Sequence, residues 1–255
     1  MALQKLKKWR NIPAKLKSIA RNNLDLIVTS AETSENLVSL TFDDGPHPAY
    51  TPRILELLDK YQAKATFFVV GKLADKYPSI LQQMKNSGHA IGNHTWHHSP
   101  VPLIPRRERI RQLRKTQHLI NHDGQKLFRP PWGFINWSAY LDAKLLGFKI
   151  ICWDEVVYDW LNPSPAEVFQ RLDSNIRPGS IILLHDNICN TIKPEYVPRD
   201  NLIEGLERYL KKYQAGYKFV TVPKLLQHGS PQYKYGLKGK DEKARSIPEN
   251  VLQNF

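Results

Sequence analysis

Val38-Ser39-Leu40-Thr41-Phe42-Asp43-Asp44-Gly45-Pro46-His47 reads as a strand that runs into two adjacent carboxylates and then breaks. Val38, Leu40 and Phe42 alternate with Ser39 and Thr41, the period of a strand, and Gly45-Pro46 stops it. Neighbours on a strand point to opposite sides, so Asp43 and Asp44 converge on one site only where the backbone turns. An Asp-Gly pair is also ordinary turn chemistry, and the rest of the chain must decide between a solvated turn and a site.

Outward from this stretch a rhythm appears. Strand-like apolar runs recur at 37–42, 65–70, 89–92, 126–128, 148–153, 180–184 and 218–222. Helix-like segments lie between them near 51–62, 72–87, 106–121, 137–146, 165–175 and 199–214. Thr51-Pro52 and Ser164-Pro165 open two of these with a cap residue and a proline in the first turn. Gly88 and Gly147 close two others. Strands alternating with helices predict an α/β fold with a parallel sheet: a distorted (β/α) barrel of about seven parallel strands, TIM-barrel-like, either closed or incomplete. A doubly wound open sheet is the alternative, and no glycine-rich phosphate loop follows the first strand.

The pattern divides the chain into a basic leader (1–35), one α/β domain (36–228) and a polar, lysine-rich tail (229–255). The first 21 residues hold seven Lys or Arg and no acid. Leu3, Leu6, Trp9, Leu16 and Ile19 fit one side of a helix that Pro13 interrupts. Two readings stand: a segment lying on an anionic membrane or envelope surface, or a helix packed on the domain with its basic face in water. The net charge of +13 also suits nucleic acid, but no zinc-finger spacing, aromatic-basic repeat or heptad run supports that partner. Cys152 and Cys189 do not make a disulfide framework, and Cys152 sits in an apolar run as a core residue would. No stretch reaches the roughly 20 apolar residues of a spanning helix, and lysines break up the N-terminus where a secretory signal would be apolar. A cytoplasmic or membrane-peripheral location is the default expectation.

Chemistry-bearing residues collect at the C-terminal ends of the strands: Asp43-Asp44, then Asn93 to His98, Arg129 to Gly133, Asp154 to Trp160, and His185-Asp186. In α/β barrels that face carries the active site. His94 and His98 are four apart, a spacing that on a helical turn lets two imidazoles reach one metal ion. His94 with His97 is the competing pair. Asp44 would complete a two-histidine, one-carboxylate set. Zinc suits it first, with cobalt, manganese, nickel or iron(II) compatible by ligand type. Water activated there needs a base, and Asp43 is adjacent; Arg129 would keep it ionised and oriented. His185 would enter the mouth from a strand end, with Asp159 to orient it and raise its pKa. The Trp132 N–H, after two prolines, could donate to an oxyanion. Trp132, Trp137 and Trp160 offer flat walls for a sugar ring or belong to the core.

These residues resemble, in order, the five motifs of the NodB-homology polysaccharide deacetylases, carbohydrate esterase family four. Thr41 to Pro46 is similar to the first motif, His94-Thr95-Trp96-His97-His98 to the second, Arg129 to Gly133 to the third, Asp159-Trp160 to the fourth and Leu184-His185 to the fifth. The resemblance covers about residues 36 to 227. It implies Asp43 as general base, Asp44, His94 and His98 as metal ligands, and His97 as a bystander. It further implies Arg129 as partner of the base, the Trp132 N–H at the oxyanion, Asp159 tuning the general acid His185, and Trp160 in the groove. Trp132 stands where the family usually has tyrosine. The expected reaction is metal-dependent hydrolysis of an acetyl group, foremost the N-acetyl of N-acetylglucosamine units, on a poly- or oligosaccharide. Family members are often exported.

Overall fold

A computed structural model describes residues 27–120, 126–174, 176–191 and 193–233. The segment 1–21, on which the membrane reading rests, and nearly all of the lysine-rich tail lie outside the described residues.

The strands are β1 (Ile27–Glu32), β2 (Leu37–Asp43), β3 (Thr66–Val69), β4 (Ala90–Asn93), β5 (Leu127–Phe128), β6 (Lys149–Ile151), β7 (Glu155–Val156), β8 (Ile181–His185), β9 (Lys218–Phe219) and β10 (Ser230–Tyr233). They form one curled sheet in the order β10-β1-β6-β5-β4-β3-β2-β8-β7, with β9 against the start of β2. All pairings are parallel except β1 with β10. The chain leaving β6 crosses directly to β7, beside β8, so the two sides of the sheet approach each other. Ala31 N–H donates to Gly179 O at 2.9 Å, and Asp154 N–H to Ile181 O at 3.2 Å. The architecture is an incomplete (β/α) barrel.

The described helices are α1 (Tyr50–Lys60), α2 (Gly71–Lys76), α3 (Pro78–Asn86), α4 (Arg106–Ile120), α5 (Trp137–Leu145), α6 (Pro165–Ser174), α7 (Asp200–Tyr213) and α8 (Val222–His228). The helix expected over 72–87 is two helices, because Pro78 has no N–H to continue the ladder and opens a new helix as its first residue. Ser164 and Glu167 form a reciprocal capping box at the start of α6, Ser164 N–H donating to Glu167 Oε2 and Glu167 N–H to Ser164 Oγ. Gly88 and Gly147 stand just past α3 and α5 with φ of 74° and 81°.

All seven residues of β2 are buried, more than its alternating pattern suggests. The strand is covered on both sides, as parallel strands are. Val38, Leu40 and Phe42 join Ile54, Leu58, Leu206 and Tyr209 in the core under α1 and α7. Each such side chain contributes about 1.5–3 kcal/mol by leaving water. Ser39, Thr41 and Asp43 face the barrel interior instead, and Thr41 Oγ1 donates to Ile182 O at 2.6 Å. The alternation therefore sorts outer core from inner site rather than core from solvent.

Each of the seven strand-like runs contains a strand. β1, β7, β10 and α8 are additional. β1 falls in the stretch read as leader and β10 in the stretch read as tail. They are strands because they pair with each other, and β1 also with β6, a long-range match that no local pattern announces. No helix among the described residues is long and apolar enough to cross a membrane.

Candidate active site

Register brings the strand ends level. Asp43 lies opposite Phe68 on one side and His185 on the other, while Asn93 lies opposite Val69 and Phe128. The residues that follow these ends meet over one mouth.

Asp43 and Asp44 share that mouth because the backbone reverses between them. Asp44 takes a left-handed φ of 75°, a conformation that costs a non-glycine residue energy and clusters at functional sites. The turn sets Asp43 Oδ2 at 3.8 Å and Asp44 Oδ1 at 3.4 Å from the same atom, His94 Nε2. Gly45 follows because a Cβ there would lie 2.0 Å from the Asp186 carboxylate.

His94 and His98 meet without a helical turn. His94 follows the end of β4, and the loop from 95 to 98 contains two left-handed residues, Thr95 (φ 66°) and His98 (φ 54°). Side chains replace helical hydrogen bonds: Asn93 Oδ1 accepts the Thr95 N–H at 2.9 Å, and Thr95 Oγ1 accepts the Ser99 N–H at 3.2 Å. The imidazole centroids are 5.0 Å apart, and His98 Nε2 is 3.0 Å from Asp44 Oδ1. One ligand atom from each of Asp44, His94 and His98 lies within 4.8 Å of the others, and all three residues are buried. His97 is exposed and outside this cluster.

His94 Nδ1 is 2.7 Å from Arg129 O. A carbonyl only accepts, so the proton is on Nδ1 and the lone pair of Nε2 faces Asp44. Burial pushes the His98 imidazolium down, toward the neutral ring that ligates metals. Burial alone would raise the Asp44 carboxyl, but the His98 and His94 rings outweigh it and hold it well below its usual range. Asp44 Oδ2 accepts the Cys189 N–H at 2.8 Å, whereas Oδ1 is buried with no hydrogen-bond partner. A buried carboxylate oxygen without a hydrogen-bond partner, level with the Nε2 atoms of two imidazoles, fits a cation.

Arg129 is fully buried. Its Nη1 donates to Asp43 Oδ1 and Thr41 Oγ1, both at 2.8 Å, its Nη2 to Cys152 O at 2.8 Å, and its Nε to Ile151 O at 3.3 Å. The guanidinium lies over Phe68, 4.1 Å from the ring centroid. Asp43 is thereby held by a fixed cation while its other oxygen faces the histidines. Across the mouth, His185 Nδ1 bonds Asp159 Oδ1 at 3.0 Å, and Asp159 Oδ2 accepts the His185 N–H at 2.9 Å. Burial alone would lower the His185 pKa. The Asp159 carboxylate, with Asp44 and Asp43 behind it, raises it to about 9.

Trp132 sits in a short turn, Pro131–Gly133, with φ 55°. Its ring lies 4.2 Å from that of His98. Trp160 stands edge-on to His185 at 5.4 Å. Trp137 opens α5, 41% exposed, and packs edge-on against Tyr140.

The sequence reading missed several contributors. Thr41 shares Arg129 with Asp43. The loop after β8 reaches two of the three ligand candidates: Asn187 Nδ2 donates to Asp44 O at 3.2 Å, and the Asn190 amide lies 3.3 Å from His98 Nδ1. Arg199 bonds Asp159. The loop residues follow His185-Asp186 directly, which was the available signal; Arg199 carried none.

The family profile described as Polysaccharide deacetylase matches residues 30–151. A peptidoglycan-N-acetylglucosamine deacetylase of Bacillus cereus is 34% identical over 210 residues, which cover 76% of this chain and 90% of the relative. Among solved structures, the Bc1960 peptidoglycan N-acetylglucosamine deacetylase superposes with a TM-score of 0.73 at 29% identity, covering 84% of this chain and 98% of that one. A family 4 acetyl xylan esterase from Clostridium thermocellum, in complex with a cobalt ion, gives 0.64 at 31% identity, covering 75% and 90%. The chain belongs to the polysaccharide deacetylases of carbohydrate esterase family four, hydrolases that remove acetyl groups from polysaccharides.

Proposed function

We propose that this chain is a metal-dependent deacetylase of N-acetylglucosamine units in a poly- or oligosaccharide, with Asp44, His94 and His98 as the metal ligands. The observation that carries the reading is Asp44 Oδ1, buried and unpartnered, facing the Nε2 atoms of His94 and His98. Zinc suits two neutral imidazoles and a carboxylate, and cobalt, manganese and nickel share the preference. When bound there, a divalent cation supplies Lewis-acid polarisation of the acetyl carbonyl and makes water a better nucleophile at neutral pH.

The chain's own residues do the rest. Asp43 accepts the proton of the attacking water through the oxygen that Arg129 leaves free. The Trp132 N–H meets the developing oxyanion. His185 gives its Nε2 proton to the leaving nitrogen, while Asp159 holds Nδ1. Trp160 and the Trp132 ring flank the sugar. The net charge of +13 favours a polyanionic polymer or envelope surface as the setting, with residues 1–21 as its basic contact.

Acetate release from N-acetylglucosamine oligomers, peptidoglycan fragments and acetylated xylan tests the reading. Release from the first two is expected. Release from xylan alone would reassign the chain to O-acetyl ester chemistry.

The His185 pKa sets a pH limit. The acid must be protonated, and a group raised to about 9 is protonated below that value and loses its proton above it. kcat/KM is therefore expected to fall as pH rises through about 9, or somewhat lower once a cation offsets the charges of Asp44 and Asp43. The alkaline limb should disappear in His185→Gln, along with most of the rate.

A further inference from the structure

Arg199 immediately precedes α7 and its side chain is fully buried. Its guanidinium is spent on two neighbouring turns. Nη1 donates to Asp159 O at 3.0 Å and reaches Asp159 Oδ2 at 3.4 Å. Nη2 donates to Tyr196 O, and Nε to Pro198 O at 2.8 Å and Val197 O at 3.2 Å. Asn162 Nδ2 to Glu195 O (3.0 Å) and Asn201 Nδ2 to Asn162 Oδ1 (3.2 Å) join the same two turns. The turn so held, Asp159–Leu161, carries both Asp159 and Trp160. It is entered and left through left-handed residues, Tyr158 (φ 56°) and Asn162 (φ 50°), so its shape needs outside support.

Asp159 thus lies between two cationic groups, and the difference between them matters. His185 gives its charge up whenever it protonates a leaving group. At that moment Asp159 would be a buried carboxylate, 1% exposed, with no counter-charge, and such a group tends to take a proton back. A guanidinium keeps its charge throughout. We propose that Arg199 is a positioning residue of the deacetylation, the permanent counter-ion that keeps Asp159 ionised and aimed at His185 when the imidazole is neutral. The inference rests on the reading of His185 as the general acid. It assigns a task to the segment before α7, outside the five motif-like stretches.

Two consequences separate this role from a purely structural one. Arg199 disfavours the imidazolium through space and makes His185 a readier donor. Its removal should therefore lower kcat while leaving KM nearly unchanged, and should move the alkaline limb upward. Of the charges that face His185, Asp43 and Asp44 at the end of β2 are unchanged in an Arg199 variant, while Asp159, from the turn after β7, is freer to take the proton His185 gives up, so the His185–Asp159 pair holds its proton to higher pH. In addition, the effect must pass through Asp159.

The experiment is a double-mutant cycle on the metal-loaded full chain with an N-acetylglucosamine oligomer. Arg199→Met is expected to lower kcat about 10- to 100-fold, to change KM by less than about twofold, and to raise the alkaline limb by about one pH unit. In an Asp159→Asn background the same substitution should have little further effect. Arg199→Lys keeps the charge and loses the fork, so the limb should stay in place with a smaller loss of kcat. Arg199→Gln, which keeps hydrogen-bond donors without the charge, carries the test if Arg199→Met does not fold, and its limb should also move upward. A loss of equal size in both backgrounds, or a lower melting temperature with an unmoved limb, would make Arg199 a staple of the two turns only. Full activity of His185→Gln would overturn the underlying reading. An inactive His185→Gln beside a wild-type-like Arg199→Met would overturn this inference alone.

Discussion

Asp43→Asn is expected to lower kcat by about three orders of magnitude while the protein keeps its fold and its affinity for metal. Asparagine retains an oxygen for the Arg129 Nη1 bond, which spans 2.8 Å to Asp43 Oδ1, and removes the basicity together with the negative charge. Alanine would be a poorer probe. It leaves the Arg129 guanidinium, 0% exposed, with neither charge nor acceptor beside it, and breaking a buried pair in this way costs about 3–5 kcal/mol. Loss of activity in that variant would mix chemistry with unfolding. Metal affinity should be nearly unchanged in Asp43→Asn, because Asp43 stands 3.8 Å from His94 Nε2 and outside the Asp44, His94 and His98 cluster. Single-turnover acetate release beside a metal titration reads both quantities. A variant with near wild-type turnover would remove Asp43 from the role of base.

His94→Ala should do the reverse, abolishing turnover through loss of metal. In the proposed site the ring is one of three metal ligands, and its Nδ1–H is anchored on Arg129 O at 2.7 Å, so its tautomer is set in advance. Losing even an outer hydrogen-bonding partner of a metal ligand costs 10- to 100-fold in affinity. Loss of a ligand should exceed about 100-fold on that scale. His97→Ala is the matched control, since His97 is exposed and outside the cluster, and it should bind metal and turn over as wild type. Competition with a chelator of known affinity measures the difference. Equal affinities for wild type and His94→Ala would show that the metal is held elsewhere.

The fold was legible where local pattern and burial agree. Val38, Leu40 and Phe42 marked β2, the Ser164–Glu167 pair marked a helix start, and Gly88 and Gly147 marked helix ends, whereas Thr51, read as a cap, lies inside α1 after Ala49 and spends its hydroxyl on the His47 N–H and Asp186. β1 and β10 were not legible: Ile27–Glu32 and Ser230–Tyr233 become strands through each other, across some 200 residues of chain. β7 has two residues and exists through β8. The site followed the same division. Asp43-Asp44, the histidines, Arg129 and His185 announced themselves as unusual residues at strand ends. What joins them did not. The left-handed turn at Asp44, the loop that brings His98 back on His94, and the buried Arg199 behind Asp159 depend on backbone torsion and tertiary packing, which leave little trace in residue type.

The most direct test of the central claim is a stoichiometric titration. Metal-stripped protein receives zinc in increments, and acetate release from an N-acetylglucosamine oligomer is followed at each step. The account predicts negligible release from the stripped protein, a rate that rises in proportion to bound metal, and a plateau at one ion per chain. Undiminished release from metal-free protein, or a plateau that Asp44→Asn and His98→Ala reach at the same metal concentration as wild type, would contradict it.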